Sequence, residues 1–171
     1  MTTPALLLLL AAVDLPVEPG DWTGLRSESA LVLEVQSGNA EAWTDYCLAG
    51  WRLRDQALLT DCASNAAEPS RGVAKAVLES TTVKADNRWG LRIALERTFL
   101  ESKFKEARRL AQSLYESEPD NVWSAEMAIQ SASRGDEEAM AFALALRAKE
   151  RFGKYFDGMV RKTEADLRTA Y

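Results

Sequence analysis

The chain has 171 residues, which suits one ordinary domain, and its 47% hydrophobic and 27% charged residues are typical of a globular protein. Its formal net charge of -5 argues against a dedicated binder of nucleic acid or of anionic membranes, since such proteins usually carry a basic face. The absence of histidine removes the commonest general base and the commonest zinc ligand. Two cysteines without histidine cannot form a four-ligand zinc site, so structural zinc is excluded. Calcium or magnesium at carboxylates stays open, but the sequence has no EF-hand spacing and no Gly-rich phosphate loop, so we expect neither a metal nor a cofactor.

The first 20 residues are predicted to be a leader followed by a linker. Ala5–Val13 is an uninterrupted apolar run, too short to span a bilayer, so no stable transmembrane segment is expected in the mature chain. The run suits the apolar region of a secretory signal, although no basic residues precede it and no clear cleavage site follows. Two interpretations remain open. The protein is exported to the periplasm, or it is cytoplasmic and the run covers an apolar end of the domain.

Residues 21–171 are predicted to form one helical domain. Turn residues such as Gly, Pro, Asn and Asp fall between the periodic segments, and no segment alternates as a strand does. Several of these turns supply an Asn or Asp that can cap the next helix. The pattern predicts helices over residues 27–37, 39–51, 55–67, 70–83, 87–101, 104–117, 120–133, 136–151 and 155–169.

A repeat of 34 residues links the second half of the chain. Trp89 and Trp123 are 34 positions apart, and Asn87 and Asn121 recur at the same spacing. Three alanine pairs follow the same register: Ala94 with Ala128, Ala107 with Ala141, and Ala111 with Ala145. A period of this length is typical of stacked helix pairs.

Two helices of this region carry apolar residues at intervals of three and four, which predicts one buried face on each. The residues are Phe104, Ala107, Leu110, Ala111 and Leu114 in the first helix, and Met140, Ala141, Leu144, Ala145 and Ala148 in the second. Small alanines at matching positions allow neighbouring helices to approach closely, as a helix hairpin requires.

In these residues the chain resembles the tetratricopeptide repeat family. The resemblance is best over 88–121, where Pro119 stands at the end of the repeat unit. The resemblance implies an all-α, right-handed solenoid of stacked antiparallel helix pairs. It implies units of about 20–53, 54–87, 88–121 and 122–155, with a capping helix over 155–169. A second repeat frame is also open, in which one unit begins at Asn39 and ends at Pro69. In this frame the predicted helix over 70–83 has no partner helix.

The resemblance also implies that a partner binds on the concave face, which the first helix of each pair lines. The matching positions are expected to be exposed in this groove, and they are Asn87, Arg92, Glu96, Phe99, Asn121, Glu126, Gln130 and Arg134. Two alternatives remain. Asn87 and Asn121 also suit helix caps, and Trp89 and Trp123 suit packing between units better than ligand contact.

Cys47 and Cys62 are predicted to face each other. If the chain turns near Arg52–Asp55, as the hairpin interpretation requires, both lie at similar heights on antiparallel helices. In an exported protein this favours a disulfide, and in a reducing cytosol it favours two buried thiols.

We therefore expect a non-enzymatic scaffold or adaptor that binds a peptide or a protein, and not a nucleic acid. The alternative is a structural subunit that self-assembles as a homo-oligomer or packs in a larger envelope complex without a separable ligand.

Overall fold

The computed structural model describes residues 15–171, and the apolar run Ala5–Val13 lies outside them. Within that range the chain is helical and no residue is in a strand. The helices are α1 Trp22–Val35, α2 Ala40–Arg52, α3 Gln56–Asn65, α4 Ser70–Leu78, α5 Arg88–Leu100, α6 Phe104–Ser117, α7 Val122–Arg134, α8 Glu138–Phe152 and α9 Asp157–Ala170, with a 3-10 turn at Gly153–Phe156 before α9. None of the helices in the described part of the chain is both long enough and apolar enough to cross a membrane.

Aspartate and asparagine side chains begin five of these helices. Asp21 accepts a hydrogen bond from the N–H of Gly24 at the start of α1, and Asn39 and Asp55 cap α2 and α3 in the same way. Asn87 and Asn121 cap α5 and α7 through the N–H groups of the third residue that follows. Each carboxylate or amide oxygen satisfies one of the unpaired N–H groups in a first helical turn. The predicted capping role of Asn and Asp is confirmed.

Two helix ends differ from the prediction by five residues, and the other ends differ by two residues or fewer. α1 begins at Trp22 and not at residue 27, because Asp21 caps it. α4 ends at Leu78 and not at residue 83, since Ser80 has a φ of 54° and the N–H of Thr81 bonds back to the carbonyl of Ala76. The last helix begins after the 3-10 turn and not at residue 155.

The described residues form two compact units. The N-terminal unit comprises residues 19–94, in which α1 packs on α2, α2 on α3 and α4, and α3 on α4. A disulfide between Cys47 and Cys62 joins α2 to α3 at the centre of its apolar core. Gly50 permits the close approach of these two helices, because a Cβ there would overlap the side chain of Leu58. The buried core consists of Trp43, Cys47, Leu48, Leu58, Leu59, Cys62, Ala66, Val73, Ala74, Val83, Trp89 and Ile93.

The C-terminal unit comprises residues 15–18 and 95–171, in which α6 packs on α7, α7 on α8, and α8 on α9. Small residues make these contacts close. Ala107, Ala111, Ala141 and Ala145 are all buried, as their spacing predicts. Met140 is exposed, so the prediction that it lies in the same buried face is wrong. The buried alanines let α6, α7 and α8 pack at short interaxial distance.

Aromatic rings close the C-terminal end of this unit. The ring centroids of Phe152 and Phe156 are 5.5 Å apart, and those of Tyr155 and Phe156 are 5.2 Å apart. Phe156 is fully buried, whereas the adjacent Tyr155 is exposed. The 3-10 turn therefore sends one ring into the core and the other towards solvent.

Candidate functional site

A cleft of about 280 Å³ lies between α7 and α9 of the C-terminal unit. The residues that line it are Ile129, Gln130, Ser133, Arg134, Met159, Lys162 and Thr163. The first four lie on consecutive turns of one face of α7, and the other three lie on one face of α9. We call this site the α7–α9 cleft.

The α7–α9 cleft is apolar at its base and cationic at its rim. Ile129 is buried beneath it, and Met159 of α9 contributes a thioether. Arg134 has its guanidinium 5.3 Å from the ring centroid of Phe99. Lys162 pairs with Asp166 one turn further along α9, at 2.6 Å. An apolar base with a cationic rim suits a peptide that carries apolar and acidic side chains.

A tyrosine–glutamate hydrogen bond joins α7 to the turn that precedes α9. The hydroxyl of Tyr155 donates to Glu126 Oε1 over 2.7 Å. The pKa of Tyr155 lies above its ordinary value, first because of this hydrogen bond and second because of partial burial. The bond holds the 3-10 turn that precedes α9 against α7.

The start of α7 holds a short non-helical segment of the chain itself. The indole Nε1 of Trp123 donates to the carbonyl of Pro16 over 2.7 Å, and Asn121 Nδ2 donates to Glu18 Oε1 over 3.1 Å. Asn121 Nδ2 also donates to Glu118 Oε2 over 3.0 Å. Glu18 is only 5% exposed, although it is a carboxylate. We call the surface formed by Asn121 and Trp123 the α7 notch.

The structure separates the eight predicted groove residues into three groups. Gln130 and Arg134 line the α7–α9 cleft, and Glu126 lies on the same helix and bonds Tyr155. Asn121 belongs to the α7 notch. The other four lie on or just before α5.

The residues on α5 do not form an exposed face as predicted. Arg92 and Phe99 are buried, so the prediction that they are exposed is wrong, and Glu96 is half-buried. Phe99 contacts the ring of Phe104 edge-on, with the centroids 5.5 Å apart. An arginine and a phenylalanine on a helix face give the same periodic pattern whether that face is solvated or covered.

Asn87 belongs to a polar network within the N-terminal unit. Its Nδ2 donates to Ser70 Oγ over 3.0 Å and to Thr44 Oγ1 over 3.4 Å, while these two hydroxyls are themselves 3.0 Å apart. Thr44 and Ser70 are buried. The network connects α2, α4 and the start of α5, so the side chain of Asn87 is already used for structure.

The geometry of the cysteine pair is well defined. The two sulfur atoms are 2.10 Å apart and the two Cα atoms 6.0 Å apart, and the two cysteines are 15 positions apart in sequence. Both cysteines are fully buried. The described residues contain no free cysteine.

The sequence-based prediction did not include the α9 side of the cleft. Met159, Lys162 and Thr163 are spaced at intervals of three and four, which places them on one face. That spacing could have identified the face, but it could not show that this face lies opposite Gln130 and Arg134. In the part of the chain that the structure covers, no group of three or more His, Cys, Asp or Glu residues is arranged to hold a metal ion.

Comparisons of the chain with models of known protein families, with curated proteins and with solved structures found no match.

Proposed function

We propose that the protein is a non-enzymatic scaffold of the tetratricopeptide type that binds a peptide or a partner protein at the α7–α9 cleft. The observation that carries this proposal is the cleft itself, which has an apolar base of Ile129 and Met159 and a rim with Arg134 and Lys162. A right-handed solenoid is the arrangement in which the faces of α7 and α9 belong to one concave surface. The sequential packing of α6, α7, α8 and α9 supports that arrangement.

We also propose that the protein is exported. The buried disulfide between Cys47 and Cys62 supports export, because disulfides persist in oxidising compartments and are rare in the cytosol. A partner in the periplasm or the envelope follows from this location.

A cleft-filling substitution tests the binding proposal. Ser133→Arg places a long side chain in the α7–α9 cleft, and Ala143→Arg places the same side chain at an exposed position of α8 as a control. Each chain is cross-linked in its native cell extract, and the covalent partners are quantified. We expect the partner to be recovered with the wild type and Ala143→Arg but lost with Ser133→Arg. Equal recovery with both variants would show that the cleft is not the binding surface.

The alternative function, self-assembly, has its own supporting observation. Leu31, Val32 and Val35 of α1 are 62%, 41% and 84% exposed, and together they form an apolar patch on a surface helix. Sedimentation of the purified chain over a range of concentrations tests this function. Association that disappears with Leu31→Asp and Val35→Asp but persists with Ser133→Arg would favour the structural subunit over the adaptor.

A further inference from the structure

The contact between residues 15–18 and the α7 notch has the chemistry of peptide recognition. Trp123 donates to a main-chain carbonyl, that of Pro16, and any peptide can offer such an acceptor. Asn121 donates to the side-chain carboxylate of Glu18, two positions further along, and only an acidic residue offers that group. One contact therefore fixes the peptide backbone, and the other favours an acidic side chain, because a hydrogen bond to a carboxylate is stronger than one to a neutral amide oxygen.

The segment itself is suited to an extended conformation. Residues 15–20 belong to no helix. Pro16 and Pro19 fix their own φ angles and bias the residues before them towards extended backbone. An extended peptide of this kind loses little conformational entropy when it binds, because few alternatives were open to it.

The repeat provides an internal control for the notch. Trp89, 34 positions before Trp123, is also fully buried, yet its indole Nε1 has no hydrogen-bond acceptor among the residues that the structure describes. Asn87 and Asn121 both cap their helices through the N–H of the third residue that follows, so each tryptophan lies two positions after a capping asparagine. A tryptophan at this position of the repeat can therefore be buried without an acceptor for its indole N–H group. Residues 15–18, which supply the acceptor at Trp123, are for this reason separable from α7.

We propose that the α7 notch is a recognition site for an extended Pro-x-Glu peptide, and that residues 15–18 are its built-in occupant, which a partner segment of the same pattern displaces. The site differs from the α7–α9 cleft in residues and in ligand, so it extends the proposed function to a second surface of the same helix. A tethered occupant has an effective concentration of the order of millimolar, so a free peptide binds the occupied notch weakly and the emptied notch more tightly.

The experiment empties the notch in the full-length chain and offers the peptide in trans. The substitutions Leu15→Gly, Pro16→Ser, Val17→Gly and Glu18→Ser remove the occupant. The probe is a synthetic peptide with the sequence of residues 14–20, and its binding is measured by calorimetry. We expect the emptied chain to bind the peptide at least about tenfold more tightly than the wild type does. A folded emptied chain that does not bind the peptide, or that binds it no better than the wild type, would overturn the proposal.

Two further measurements identify the contacts. Adding Trp123→Phe to the emptied chain removes the N–H donor and should weaken binding about fivefold, the effect of one ordinary hydrogen bond. A peptide with Gln in place of the residue that corresponds to Glu18 should bind about tenfold more weakly, because the carboxylate acceptor is lost. Unchanged affinity in both measurements would place the peptide elsewhere on the protein.

A single conservative variant covers the case in which the emptied chain does not fold. Glu18→Gln in the full-length chain weakens the occupant and keeps its shape. The Glu peptide should then raise the melting temperature of this variant more than the Gln peptide does, since a ligand that binds only the folded state stabilises it. Equal melting temperatures with the two peptides would contradict the proposal.

Discussion

The two compact units use different side-chain chemistry to hold their helices together. In the N-terminal unit a disulfide joins α2 to α3, and the hydroxyls of Thr44 and Ser70 form a buried polar network with Asn87. The C-terminal unit has no disulfide among its described residues and packs α6, α7 and α8 through buried alanines. Positions that are 34 residues apart therefore keep the same place in a helix, but their side chains have different partners.

The two asparagines and the two tryptophans show this most clearly. Asn87 and Asn121 cap helices with one amide atom each, but the other amide atom of Asn87 bonds two hydroxyls and that of Asn121 bonds two glutamates. Trp89 and Trp123 are both buried, but only Trp123 donates its indole N–H to a carbonyl. The 34-residue spacing thus predicts the helix caps and the buried rings at these positions, but it does not predict their other hydrogen-bond partners.

The largest expected difference between the units comes from the disulfide. Replacing both cysteines by alanine should lower the free energy of unfolding of the N-terminal unit by about 3 kcal/mol, the chain-entropy effect of a 15-residue loop. Hydrogen exchange measured by mass spectrometry should show faster exchange in α2 and α3 than in the wild type, with α6, α7 and α8 changed much less.

The matched control for this experiment is the wild-type chain with and without reductant. Reduction should reproduce the exchange pattern of the double variant. If two thiols are counted in the unfolded, unreduced protein, the bridge does not form in solution, and the proposal of export loses its main support.

The second prediction compares the two tryptophans. Trp89→Phe and Trp123→Phe remove the same volume from buried sites, but only Trp123→Phe also leaves the Pro16 carbonyl without its donor. Trp123→Phe should therefore destabilise the chain by about 1–2 kcal/mol more than Trp89→Phe does, as measured by urea unfolding. Equal destabilisation would mean that the bond to Pro16 contributes nothing, which would also weaken the case for the α7 notch.

Much of the scaffold is predictable from local sequence because its causes are local. Asn39, Asp55 and Asn121 begin helices as their side-chain chemistry predicts, and the intervals of three and four place Ala107 and Ala141 in the core. The helix ends near Trp22 and Leu78 were predicted less well, because single capping or turn residues determine them.

The candidate sites are less predictable because they depend on which helices lie side by side. A face with Arg92 and Phe99 has the same periodicity whether solvent or protein covers it, and here it is buried. The contact of Pro16 and Glu18 with α7 joins residues more than 100 positions apart, and no local pattern encodes it. The family resemblance points to Gln130 and Arg134, which line the cleft, but it does not point to Lys162.

The smallest expected effect compares two tyrosines, one in each unit, whose pKa values are both raised but for different reasons. Burial is the main cause at Tyr46, followed by the charge of Asp61, while the hydrogen bond to Glu126 is the main cause at Tyr155. Glu126→Ala should therefore return the pKa of Tyr155 most of the way to its ordinary value of 10.0, whereas Asp61→Asn should lower the pKa of Tyr46 only in part. Ultraviolet titration of tyrosinate measures both, with Tyr155→Phe and Tyr46→Phe as controls that assign the signals.

Because the folded state holds the proton of Tyr155 more tightly, its bond to Glu126 stabilises the fold below pH 10.0 and is lost as the pH rises through the raised pKa. If the pKa of Tyr155 is the same in the wild type and in Glu126→Ala, the bond that joins α7 to the start of α9 is absent in solution.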